Sequence, residues 1–157
     1  MNTMELFNHI KETLVDAIDT VAEEGVMPYI VLRSERFKHA MRLLRENDAL
    51  DFNFLSSIAS VDLKDSIAVV YHLFSLTKKH RIAVKVVLNR DTPEIETVTD
   101  IWPGANWHER EAYDMFGVRF SGHPDLRRLL LPEDWVGYPL RKDYTFPEEY
   151  HGISGSK

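Results

Sequence analysis

Between Phe54 and Asn89 apolar residues return at every second position. Ile67, Val69, Tyr71 and Leu73 form one run; Ile82, Val84, Val86 and Leu88 form the next, set against Arg81, Lys85 and Asn89. A period of two predicts half-buried strands. Lys64-Asp65-Ser66 and Thr77-Lys78-Lys79 are breaks short enough for consecutive hairpins, so the segment reads as a three-stranded antiparallel meander. Upstream, Leu6, Phe7, Ile10, Leu14, Ala17, Ile18 and Val21 recur at steps of three and four. That spacing predicts one amphipathic helix from a cap at Asn2/Thr3 to Gly25. Pro28 to Arg33 reads as a strand joining the meander, and Ser34 as the cap of a second helix that buries Phe37, Met41 and Leu44. The expected fold is α+β: a mixed, largely antiparallel sheet with helices packed on one face.

Thr97 and Asp100 mark a capped turn before Trp102-Pro103. Asn106 with Glu109 has the spacing of a capping box, opening a helix that stops at Phe116-Gly117. Beyond Gly117 periodicity disappears. Four of the seven prolines and four of the seven glycines fall there, so only single turns are expected. The segment is nevertheless rich in Phe120, Trp135, Tyr138, Tyr144, Phe146 and Tyr150 and in leucines from 126 to 131, unlike a disordered tail. Long irregular segments that seek burial are usually functional. The chain therefore divides into a globular domain, residues 1–117, and an extended partner-docking arm of the same domain, residues 118–157.

A chain of 157 residues is long enough for one core without staples. It has no cysteine, which excludes thiolate zinc sites, iron–sulfur clusters and thiol nucleophiles carried by its own side chains. The net charge of −6 argues against nucleic acid as a partner. The amino terminus lacks a secretory pattern, and no window approaches the roughly 20 apolar residues of a membrane span. A soluble, cytoplasmic chain is expected.

The candidate chemistry lies on the helix after Asn106 and in the arm. Trp107, Arg110, Glu111 and Asp114 share an arc of about 100°, and His108, Ala112, Met115 and Phe116 another. Arg110 and Asp114 have the spacing of an i,i+4 ion pair; the alternative is that Arg110, Glu111 and Asp114 anchor the arm or a partner's loop by charge-assisted hydrogen bonds. His108-Glu109 begins like a zinc-protease helix, but position 112 is alanine where the second histidine is needed. A metal-dependent hydrolase built on His108, Glu111, Asp114 and His123 remains the rival of another class. There is no Gly-rich phosphate loop and no Gly-x-Ser-x-Gly elbow, and Gly152 to Gly155 reads as a terminal fray. Interspersed charges such as Arg127-Arg128 and Arg141-Lys142 point to pairing between subunits.

Glu109-Arg110-Glu111, Asp114-Met115-Phe116-Gly117, Phe120, Gly122-His123-Pro124, Leu126, Arg127 and Leu129-Leu130, continued by Trp135 and Pro139 to Tyr144, resemble the signature of the 30-kDa-type subunits of respiratory complex I, the proton-translocating NADH:quinone oxidoreductase. The resemblance implies a cofactor-free subunit of the peripheral arm, with FMN and iron–sulfur clusters held by partner subunits. It implies contacts with the quinone-module D-type subunit and with adjacent iron–sulfur subunits. Its implied place is peripheral, on the cytoplasmic side of the cell inner membrane, associated with the membrane only through the complex. It casts Glu109, Arg110, Glu111, Asp114, His123, Asp125, Arg127, Arg128, Arg141, Lys142, Asp143 and Tyr144 as assembly contacts. An end soon after the motif is expected of the stand-alone form, not of a fusion with the D-type subunit. Related modules occur in membrane-bound hydrogenases, formate hydrogenlyase and F420H2 dehydrogenase, which are the alternative settings.

Overall fold

The computed structural model describes residues 1–155; the last two positions of the expected arm lie outside them. Helix α1, Thr3–Thr13, starts where expected: Asn2 Oδ1 accepts the Glu5 amide at 2.8 Å and Glu5 accepts the Asn2 amide at 3.0 Å, a reciprocal cap. It stops twelve residues short of Gly25. Ile18–Ala22 is instead strand β1, antiparallel to β2, Tyr29–Leu32. The helical spacing of Leu14, Ala17, Ile18 and Val21 is coincidental. Ile18, Thr20 and Val21 are β-branched, and a neighbouring strand edge satisfies their backbone better than one more helical turn.

A single turn of 3-10 helix, Ser34–Arg36, leads into α2, Phe37–Glu46, which buries Phe37, Ala40, Met41 and Leu44. Strands β3 (Phe54–Asp62), β4 (Ser66–Ser75) and β5 (His80–Asn89) form the expected meander. The sheet order is β1-β2-β5-β4-β3. Only β2 and β5 run parallel, with Ile30 opposite Val84 and Leu32 opposite Val86, because the chain crosses the sheet through α2 and the β3–β4 hairpin before returning. One face of the sheet joins Phe7, Ile10, Phe37, Met41 and Leu44 in a continuous core. The other carries Tyr29, Val61 and Val87, all exposed.

Residues beyond β5 build a second, smaller unit. β6 (Glu94–Glu96) pairs in parallel with β7 (Arg119–Ser121), and α3 (Ala105–Phe116) is the crossover between them. The arm thus opens with a strand where only turns were expected: Ile95 and Phe120 are both buried, and that burial favours pairing in a segment too short to show a period. At the far end β8 (Glu149–Tyr150) and β9 (Ile153–Ser154) make a small hairpin. His151 and Gly152 both take positive φ there, as a two-residue hairpin turn requires. The segment read as a terminal fray is therefore paired.

Candidate docking arm and its anchors

Helix α3 presents its charged residues inward. Glu109, Arg110 and Asp114 are buried with Ala105, Ala112 and Met115, while Trp107 and Glu111 are exposed and His108 is half-buried. The buried positions are drawn from both arcs: Arg110 and Asp114 from one, Ala112 and Met115 from the other. Burying three charges is costly unless each is paired, and each has found partners by sequence-distant contact.

Asp114 is the densest node. Its Oδ2 accepts the successive amides of Leu129, Leu130 and Leu131 at 3.1, 2.7 and 2.9 Å, and its Oδ1 accepts from Arg128 Nη1 at 2.8 Å. Burial alone would raise this carboxyl, but the Arg128 guanidinium and the three amides outweigh it and hold the group below the ordinary carboxylate range. Arg128 completes its fork on the carbonyls of Asp114, Trp135 and Gly137 and lies 5.4 Å from the Tyr138 ring centre. Arg110 does not pair with Asp114. Its Nε and Nη2 donate to the carbonyls of Arg127 and Arg128, each at 3.2 Å. The two residues that looked like an i,i+4 pair instead grip the same loop, one by its amides and the other by its carbonyls.

Further along, Arg141 Nε donates to the Phe116 carbonyl at 2.7 Å and its guanidinium sits 5.2 Å from the Tyr138 ring centre. The Lys142 amide donates to Asp62 Oδ2 at 2.8 Å, and Asp143 pairs with Arg90 at 2.9 Å. Tyr144 accepts from Trp135 Nε1 at 2.9 Å and donates to the Val136 carbonyl. Asp62, at the end of β3, also pairs with Arg90 and accepts the Lys64 amide. These bonds keep its carboxyl strongly depressed, Arg90 contributing most. Asp62 and Arg90 do not stand out in the sequence, since the partners of Asp62 lie up to 80 positions away. Asp62 is the one charged residue of β3, whose other buried positions are Leu55 and Ile58.

Glu109 belongs to another node and caps nothing. Gly104 occupies the N-cap of α3 without a side-chain bond. Glu109 reaches back to the turn after β6, accepting from Thr97 Oγ1 at 2.5 Å and from the Val98 amide at 2.8 Å. His123 Nε2 stands 3.8 Å from it, with both side chains fully enclosed. His123 accepts the Asp125 amide on Nδ1 at 2.9 Å, and Nε2 faces the Asn106 carbonyl at 3.3 Å, a pattern that places its proton on Nε2. Asp125 and Arg127 pair with each other in solvent.

Burial lifts the Glu109 carboxyl to about 7, against the opposing bonds from Thr97 and Val98. With the folded value above the unfolded one, its favourable contribution is complete below the usual carboxylate range and disappears as pH rises through 7. A rise from 4.5 to about 7 corresponds to about 3 kcal/mol. Unfolding with urea at pH 5, 6, 7 and 8 is expected to show the native chain weakening across this window relative to Glu109→Gln, which cannot ionise. Parallel curves for the two proteins would refute the assignment.

The hydrolase constellation does not assemble. Asp114 is engaged by Arg128, Glu111 faces solvent and His123 turns to Glu109. Among the described residues no three His, Cys, Asp or Glu side chains form a group able to hold a metal ion.

The family model described as "Respiratory-chain NADH dehydrogenase, 30 Kd subunit" matches residues 30–150, a span that holds the anchors and the arm as far as Tyr150. The chain belongs to this 30-kDa subunit family. The C-type subunit of NADH-quinone oxidoreductase from Chlorobium phaeobacteroides is 44% identical over 94% of this chain and 91% of its own length. Its counterpart from Chloroherpeton thalassium is 44% identical over 92% of this chain, which spans 61% of that longer relative. Among solved structures, a trypsin-resistant fragment of Nqo5 shares 36% identity at a TM-score of 0.68, covering 80% of this chain and 100% of the fragment. A chain of an archaeal membrane-bound sulfane sulfur reductase, a respiratory membrane complex, shares 25% identity at 0.71, covering 90% of this chain and 85% of that one. This member of the 30-kDa family is thus a subunit of the complex I type.

Proposed function

We propose that this chain is a cofactor-free peripheral-arm subunit of a proton-translocating NADH:quinone oxidoreductase, and that its arm, shaped by its own body, docks on the D-type subunit of the quinone module and on adjacent iron–sulfur subunits. Electrons would pass from NADH through FMN and clusters held by those partners to quinone, while this chain supports the module structurally and performs no chemistry alone. The absence of cysteine supports the assignment of clusters to neighbours. Among the described residues no helix is long and apolar enough to cross a membrane. The NADH-quinone oxidoreductase setting is preferred over the related hydrogenase-type complexes because relatives above 40% identity carry that name.

One observation carries the reading. The arm is anchored to its own body through Arg128, Arg141, Lys142 and Asp143, yet Leu130, Val136, Leu140, Phe146 and Ile153 are 54–85% exposed along it. A run of exposed large apolar groups on a tethered frame marks a protein interface. Glu109, Arg110, Asp114, Arg128, Arg141, Lys142, Asp143 and Tyr144 then act in assembly by holding the frame, and Glu111, Asp125 and Arg127 remain available at its surface. Val136→Asp with Phe146→Asp in the native host should reduce the amount of assembled complex several-fold, while NADH:quinone turnover per assembled complex stays unchanged. Normal complex levels with this double variant would sink the docking role.

A further inference from the structure

The arm's tip has a chemistry distinct from the rest of its length. Trp135, Phe146, Pro147, Tyr150 and Ile153 line an apolar cup of about 410 Å³. Trp135 and Tyr150 pack at a tilt of 48° with centroids 5.0 Å apart, and Asp134 fixes this wall by accepting from Tyr150 Oη at 2.5 Å and bonding His151 Nε2 at 2.6 Å. Phe146 and Ile153 stand 67% and 71% exposed at its mouth. The chain around the cup is one-sided in charge. Glu133, Asp134, Glu148 and Glu149 are all exposed, while residues 132–140 and 143–155 contain no lysine or arginine. Among the described residues Glu133, Glu148 and Glu149 enter no salt bridge, in contrast to Asp62, Asp114 and Asp143, which all do.

We infer that this cup receives a segment of a partner polypeptide in which one large apolar side chain is flanked by lysine or arginine. The apolar wall supplies the anchor site and the unpaired carboxylates select the flanks. Complementary charge at a rim governs partner choice and encounter rate more than gross affinity, and aromatic anchors in a pocket carry most of the binding energy. An anionic lipid surface is disfavoured by the same rim, which repels it. The inference rests on the docking role proposed above and adds the chemistry of one partner contact.

Calorimetric titration of the full chain with two synthetic peptides, a leucine anchor flanked by Lys/Arg and the same anchor flanked by Glu, tests it. The basic peptide should bind roughly tenfold tighter at low salt, with the advantage shrinking as salt rises and vanishing in the Glu133→Lys/Glu148→Lys/Glu149→Lys variant. Equal affinities, binding by neither peptide, or tighter binding to anionic phospholipid vesicles than to the basic peptide would overturn it. In the purified complex, carbodiimide should join Glu148 or Glu149 directly to a partner lysine, or leave them protected against a soluble amine where the partner residue is arginine. Free amidation of both carboxylates would count against the inference. If assembly needs Val136 and Phe146 but the basic preference is missing, only this inference fails; if assembly ignores them, the docking role fails with it.

Discussion

Asp114→Ala is expected to destabilise the chain by about 3–5 kcal/mol, the range for removing one partner of a buried ion pair. The loss is larger than that of a single contact because four groups lose their acceptor together. The amides of Leu129, Leu130 and Leu131 and one arm of Arg128 all converge on this carboxylate, which is fully buried. Buried donors left unmatched cost more than the bonds were worth. The effect should be polarised along the chain, with the arm freed before the sheet melts. Trypsin should then cut at Arg127, Arg128 and Arg141 faster than in the native chain. The carboxyl is held below the ordinary range, so its contribution is present at neutral pH and fades as pH falls through its folded value. The gap between native and variant should therefore close in acid. A destabilisation below about 1 kcal/mol, the scale of a surface ion pair, would mean that Asp114 does not organise the arm.

Gly117→Val should cost about 2–4 kcal/mol, combining backbone strain of roughly 1–2 kcal/mol with a steric clash. Gly117 ends α3 at φ +75°, and a Cβ there would lie 2.5 Å from Cε2 of Tyr138. That ring cannot move freely, because it supports the guanidinium groups of both Arg128 and Arg141. Gly25→Val provides the comparison. Gly25 also has positive φ, +117°, but a Cβ added there would meet nothing within 4 Å, so only the strain should register. Denaturant unfolding of the two variants separates the two contributions: Gly117→Val should be the more damaging and should loosen the arm, which Gly25→Val should not. Equal losses would show that Tyr138 yields easily and that the close approach is unimportant.

The central sheet is readable because strict alternation over ten residues leaves little choice of register. β4 and β5 bury Ile67, Val69, Tyr71 and Leu73 against Ile82, Val84, Val86 and Leu88 as the period demands. The first helix is shorter than its spacing suggests because four apolar residues after Thr13 happen to continue that spacing, and only the pairing of β1 with β2 decides otherwise. β6 and β7 are three residues each, too short for any period to emerge. On α3 the motif is visible but the wiring is not. Arg110 and Asp114 each have a neighbour of opposite charge one turn away, and each prefers backbone groups of residues 127–131. Three aligned amides and a guanidinium satisfy a buried carboxylate better than one side chain does. Such a preference becomes apparent only once the loop's path is known, which is also why Asp62 and Arg90 give so little sign of their role.

Hydrogen–deuterium exchange at the amides of Leu129, Leu130 and Leu131 in the chain alone is the most direct test of the claim that the arm takes its shape from its own body before it meets a partner. Strong protection without any partner, lost in Asp114→Ala, is the expected result. Exchange of those three amides at the rate of an unstructured peptide, with protection gained only in the assembled complex, would contradict it.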